Sequence, residues 1–248
     1  MKTLAIAFLV VLVVFAAATD VVTPRPGQIA TSRTDAREFV RRIYFEGIPV
    51  EASRRLDPDT AVPTLLGMLA DPREERYWSN IVITLGMMGD ERAVEPLMQF
   101  LEQGPAGQRL SSHHFVAKCR VLMALGYLVN RNGNQKALDY LKSSLNPGQW
   151  QRRGLKWVSP HHPSADGRDY QLTDMSILGL ALSGRPEAGE ALHALQQPAT
   201  NAADKQFRAR VSDVVQTALS AHGEIARDGL VKYDLKKTQP RPSSPRRR

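Results

Sequence analysis

Six histidines and a single cysteine are the side chains in this sequence best equipped for chemistry, and their spacing decides what they can do. The histidines form two adjacent pairs, His113-His114 and His161-His162, with His193 and His222 standing apart. Neighbouring histidines on a helix point away from each other and do not easily share one tetrahedral ion. On a loop they can converge, but beyond Asp166 no carboxylate stands at ligand spacing from His161 and His162. A catalytic cysteine needs a nearby base or cation to form its thiolate. Cys119 shares helical spacing with Phe115 and Leu122 instead, the position of a small buried hydrophobe. No Gly-rich phosphate loop, Gly-x-Ser-x-Gly elbow or paired-cysteine motif occurs. The expectation is a chain with no metal, no cofactor and no catalytic residues.

What remains is the chemistry of binding. The segment "NPGQWQRRGLKWVSPHHPSADGRDY", residues 146–170, interleaves aromatic and basic side chains. Aromatics set among cations can hold polyanions, sugars or a protein partner, which makes Trp150, Arg152, Arg153, Lys156, Trp157, His161 and His162 the candidate partner-binding set. The alternative is that Trp150 and Trp157 tuck the segment onto the body while its charges face water. The cost of an exposed apolar patch favours that second arrangement. A second basic group, Lys236, Lys237, Arg241, Arg246, Arg247 and Arg248, ends the chain. It is either a solvated terminus or an arm for an anionic polymer or lipid surface. Residues 232–248 hold seven cations and one acid, Asp234, against a net charge of +8 for the whole chain. The rest is close to neutral, so the bulk of the protein is no nucleic-acid-binding surface.

The elements that must position these residues are helices. Ala, Leu, Glu, Arg and Gln are frequent, and 42% of the 248 residues are apolar, enough for a core of one or two domains. A first helix is predicted from Asp35, with Glu38 in capping-box position, Phe39, Val40 and Ile43 on one face, and Gly47 as its stop. In "LGMMGDERAVEPLMQFLE", residues 85–102, one amphipathic stripe (Tyr77, Trp78, Ile81, Val82, Leu85) ends at Gly89. Asp90 and Glu91 then open a second stripe of Ala93, Val94, Leu97, Met98 and Leu101, with Pro96 early in the helix. This is an antiparallel helix pair joined by a short turn. The unit recurs: Gly89, Ala93 and Leu97 match Gly133, Ala137 and Leu141, and again Gly184, Ala188 and Leu192, with Ala61 and Leu65 upstream. The alanines at 61, 93, 137 and 188 are 32, 44 and 51 residues apart, the scale of stacked helical pairs with insertions. A further stripe, Phe207 to Leu219, is expected to end at Gly223 and cap the stack.

The 85–102 segment resembles the HEAT repeat in its short bacterial form, the form also found in phycobilisome-lyase-type proteins. The matching residues are Leu85, Gly86, Gly89, Asp90, Ala93, Val94, Pro96 and Leu97. Residues 123–145 and 177–197 are similar but more diverged. The resemblance implies an all-α, right-handed solenoid of about four or five helix pairs. It does not imply an activity. Phycobilisome lyases attach bilins, yet no residue here carries over to that reaction. One HEAT-repeat family, the deoxyhypusine hydroxylases, holds iron through His-Glu dipeptides, and none occurs in this chain.

At the N-terminus, Lys2 precedes an apolar run from Leu4 to Ala18 that ends in three alanines. That predicts a secretory signal peptide over 1–18, with an uncleaved anchor as the alternative. An extended leader over 19–33, a repeat domain over 34–231 and a disordered basic tail over 232–248 complete the expected layout. A single cysteine fits export without an internal disulfide. The expected function is an exported, non-catalytic, monomeric scaffold, periplasmic or secreted. It would hold a protein or peptide on its concave face, with no specific nucleic acid as partner. The alternative is an adaptor whose tail and 146–170 insertion grip an anionic polymer or membrane.

Overall fold

The computed structural model describes residues 35–238, apart from Pro147 and Pro163. The predicted signal peptide, the leader and the basic residues Arg241, Arg246, Arg247 and Arg248 lie outside the described residues. The described part belongs to one compact unit. It is an all-α solenoid, and its one extended pairing among the described residues is an isolated bridge between Arg109 and Val158.

The chain opens with α1 (Ala36–Arg41), α2 (Val50–Arg54) and α3 (Pro58–Leu69). Helix pairs follow: α4 (Trp78–Met88) with α5 (Val94–Glu102), then α6 (Ser112–Asn132) with α7 (Gln135–Ser143). A short α8 (Gln149–Arg152) lies in the insertion. Then come α9 (Ala165–Ser183) with α10 (Pro186–Ala194), and finally α11 (Ala202–Asp228) and α12 (Leu230–Thr238). Two layers result. In the first, α2, α4, α6, α9 and α11 pack each on the next; α3, α5, α7 and α10 lie along it as the second.

The Leu-Gly step of each repeat sets the spacing of the first layer. Gly86, Gly126 and Gly179 occupy the same place in α4, α6 and α9. A Cβ on Gly86 would fall 2.5 Å from the Ala124 Cα, and one on Gly126 would collide with the Gly179 backbone. Only hydrogen at these positions lets successive helices touch backbone to backbone. At each tight turn the glycine is left-handed, with φ of 75°, 70° and 59° at Gly89, Gly133 and Gly184. The stripe residues Leu85, Leu97, Leu125, Leu141, Leu180 and Leu192 are all fully buried in one continuous core.

Three boundaries differ from the sequence expectation. Helix α1 stops at Arg41, not Gly47, because the Asn80 side chain takes the Val40 carbonyl at 2.9 Å; Ile43, expected on the buried face, is 81% exposed. Asp35 does cap α1, but Glu38 pairs with Arg42 rather than closing the capping box. Helix α11 runs straight through Gly223 to Asp228, since Ile225 continues its buried stripe against Gly184. The tail expected to be disordered from residue 232 is helical as far as Thr238, because Leu230 is buried and Val231 and Tyr233 pack on the core.

Helix α12 also changes what the first layer presents. It packs against α11 and reaches α2, where the Asp234 carboxylate accepts from the Val50 N–H at 3.5 Å. Tyr127 of α6 lies close enough for Asp234 and Tyr233 to raise its phenol pKa, after the larger effect of burial. The last helix therefore bridges from the end of the layer back to its beginning.

Candidate functional site

The insertion is anchored by its tryptophans. Trp157 is fully buried and its Nε1 donates to the Leu101 carbonyl at 3.0 Å, at the end of α5. Around it the loop pairs with residues 107–110: the Gly107 N–H meets the Lys156 carbonyl at 2.8 Å and the Leu110 N–H meets the Val158 carbonyl at 3.0 Å. Trp150, 1% exposed, donates to Thr173 Oγ1 at 3.1 Å and packs edge-on to Tyr140. Neither indole is a surface anchor for a partner; of the two arrangements open at the sequence level, the structure adopts the tucked one.

Buried cations complete the anchoring. The Arg153 guanidinium lies 3.6 Å over the Tyr140 ring and 4.7 Å from that of Trp150. It donates to Ser143 Oγ and Ser144 Oγ and faces Glu102 at 3.7 Å. Arg168 sits 5.2 Å from the Trp157 ring and donates to the Leu155 and Trp157 carbonyls while pairing with Asp169. Stacking on a ring face and filling backbone acceptors is how an arginine can be buried at tolerable cost. Arg153, expected to face a partner, is thereby built into the body.

Lys118 is the residue that sequence reasoning passed over. It lies on the apolar stripe of α6, three residues from Phe115 and four from Leu122, and is 1% exposed. Its Nζ donates to the carbonyls of Phe100, Leu101 and Gln103, which closes the C-terminus of α5, and it lies near the rings of Phe100 and Trp157. Burial pulls its amine down to about 7. The available signal was a lysine at a stripe position with an aromatic three residues before it. Next to it, Cys119 is buried and its thiol is pushed up to about 12 by burial, an inert state.

Arg152, Lys156 and His161 remain on the surface of the insertion, with His162 half-buried. His161 leans edge-on to Phe115, and His162 Nε2 bonds Gln171 Oε1 at 2.8 Å. The two imidazoles thus serve separate contacts, and no group of three or more His, Cys, Asp or Glu converges among the described residues. At the base of the insertion, Trp150, Asp166, Asp169, Tyr170 and Phe207 line a cavity of about 210 Å³. Burial raises the Asp169 pKa, and its Oδ2 has no hydrogen-bond partner. Of the basic end group, Lys236 is engaged with Asp228 at 2.7 Å and Glu224 at 4.0 Å, and the Lys237 ammonium lies 5.3 Å from the Tyr233 ring. Both are set against the chain's own surface.

The pair formed by α4 and α5 carries the family match. Residues 79–103 match the family model described as PBS lyase HEAT-like repeat. This segment is a HEAT-like repeat, and the chain that carries it folds as an all-α solenoid. The match falls on a unit with a short step from Gly86 to Gly89, and the α6–α7 and α9–α10 pairs repeat its glycines and leucines with longer steps, Gly126 to Gly133 and Gly179 to Gly184. No curated protein and no solved structure matches the chain. No helix among the described residues is long and apolar enough to cross a membrane.

Proposed function

We propose that this HEAT-like repeat protein is an exported, non-catalytic scaffold that holds a protein or peptide partner in the cell envelope. The observation that carries the proposal is the stack itself: repeated helix pairs bury one core and leave extended helical surfaces whose natural use is recognition. The half-buried His114 and the buried Cys119 and Lys118 serve packing and capping, which supports a role without chemistry. The apolar Leu4–Ala18 run supports export. The exposed Arg152, Lys156 and His161 on a rigidly anchored loop give a partner fixed contact points beside the repeats. The test is capture from an envelope extract with the intact chain, the chain lacking residues 239–248, and the Arg152→Glu, Lys156→Glu double variant, at low and high salt. A defined protein retained at high salt by the shortened chain is the expected result. A specific hydrolase or lyase activity in the purified protein overturns the scaffold reading.

The second reading is an adaptor for an anionic polymer or lipid. The exposure of Arg152 and Lys156 in the same loop favours it. In that case capture fails on removal of residues 239–248, or on addition of salt, which screens exposed charges beyond roughly 10 Å at 0.1 M.

A further inference from the structure

The cavity of about 210 Å³ at the base of the insertion has two kinds of wall. Trp150 of α8, Tyr170 of α9 and Phe207 of α11 supply aromatic rings. Asp166 and Asp169, three residues apart on α9, supply carboxylates. Trp150 and Phe207 are buried, Asp169 and Tyr170 are half-buried, and Asp166 is exposed. The rings therefore lie deep, and a carboxylate stands at the mouth. No lysine or arginine among the described residues lines the space.

The carboxylates are incompletely neutralised. The Asp169 side chain is 12% exposed, and Arg168 spends both its Nε and its Nη2 on one oxygen, Oδ1, each at 2.8 Å. The other oxygen, Oδ2, is buried without a hydrogen-bond partner. Asp166 has no hydrogen bond or ion pair among the described residues. Burial raises the Asp169 pKa against the pull of Arg168, and the Asp166 charge raises it further. The start of α9 accounts for Asp166, because a helix dipole favours acids in its first turn. It does not account for Asp169, which lies beyond that turn. A buried carboxylate oxygen left unpaired is costly, and its strongest complement is a donor that carries positive charge. The same helix shows what such a complement looks like. The Arg210 guanidinium lies 3.7 Å over the Tyr170 ring, and its charge offsets that of Asp174, four residues on. A planar guanidinium suits this pairing because it stacks on a ring while its edge donates to a carboxylate.

We propose that this cavity is a binding site for a guanidinium group, the head of an arginine side chain, held against the aromatic rings by the carboxylates of Asp166 and Asp169. The arginine comes either from a peptide partner or from the chain's own basic end, where Arg241, Arg246, Arg247 and Arg248 lie outside the described residues. Occupancy of the cavity by a small guanidinium probe needs no partner protein, so the site and the scaffold reading can fail separately.

The experiment uses the intact chain and N-acetyl-arginine methylamide as the probe, with the citrulline analogue, similar in shape but uncharged, as its control. Each is titrated to millimolar concentration while the NMR signals of the Gly148 amide and the Trp150 indole N–H, both at the cavity, are followed. A saturable shift is expected with the arginine probe, and affinity at least tenfold weaker for citrulline. Asp166→Asn with Asp169→Asn should cost at least tenfold in affinity. Should that double variant fail to fold, Asp166→Asn alone, a change at an exposed position, decides, with a loss of at least threefold expected. A full chain carrying Arg241→Gln, Arg246→Gln, Arg247→Gln and Arg248→Gln separates the two sources of the arginine. Tighter probe binding there means that the chain's own end competes for the site, and unchanged binding assigns the site to a partner's arginine. Absence of a saturable shift in both chains overturns the proposal. So does equal affinity for citrulline, an Asp166→Asn chain that binds as well as the natural one, or calcium ions that move the same signals at lower concentration than the probe.

Discussion

The α4–α5 unit and the 146–170 insertion sit one helix pair apart and are held by opposite means. The first is fixed by what is missing: no side chain at Gly86, so that α4 and α6 meet backbone to backbone, and a left-handed Gly89 for the turn. The second is fixed by large, one-off side chains: two buried indoles, with Arg153, Arg168 and Lys118 laid against rings and backbone carbonyls. A repeat can be written with small residues because its neighbours supply the surface to pack on. An insertion has no neighbour of its own kind and must bring its own anchors.

The largest effect should come from the insertion. Trp157→Ala removes a fully buried indole and leaves the Leu101 carbonyl without that donor. A loss of about 3–5 kcal/mol is expected in urea unfolding; a loss below about 1 kcal/mol would mean that the loop is decoration rather than structure. Next is the repeat side. Gly126→Ala forces a methyl group into the Gly179 backbone and should cost about 1–3 kcal/mol, whereas Gly107→Ala, with open space around it, should be felt only through its positive φ of 68°. Equal losses at the two glycines would remove the close-approach argument.

The third prediction concerns pH, where the two regions meet. Burial, aided by the nearby Lys118 charge, pulls the His114 imidazole down to about 4 against Trp78 and Phe100. The unfolded chain protonates this histidine near 6.5, the folded chain only near 4. Its contribution is therefore fully present above about 6.5 and is lost as pH falls toward 4. Thermal midpoints at pH 7 and pH 5 should fall further apart in the natural chain than in His114→Phe. The smallest effect is expected from Arg152→Ala with Lys156→Ala, two exposed side chains whose removal should change stability by no more than about 0.5 kcal/mol. Any larger change would tie the loop's surface to its anchoring.

The same contrast explains what could be read from sequence. The Leu-Gly steps, the glycine turns and the stripes of α4 to α11 are periodic, and periodicity is visible without coordinates. The tuck of Trp150 and Trp157 was decidable from the cost of exposing them. Arg153, Arg168 and Lys118 were not, because their partners are ring faces and carbonyls contributed by distant elements, such as Leu101 for Lys118 and Tyr140 for Arg153. Gly223 misled because a glycine on the solvent side of a long helix has the same letter as one at its end. Helix α12 was hidden by composition: Lys232, Lys236 and Lys237 look like a solvated tail, while Leu230 and Tyr233 carry the packing.

The Val50–Asp234 contact joins residues 184 positions apart. In an open array each unit feels only its neighbours, folding can start anywhere, and a unit lost from one end leaves the other end unaware. Here α2 and α12, at opposite ends of the described helices, share a contact, so units that an open array would leave independent are coupled. That contact forms only when residues far apart in sequence meet, a high-contact-order step that should appear as a slow phase after the helices have stacked.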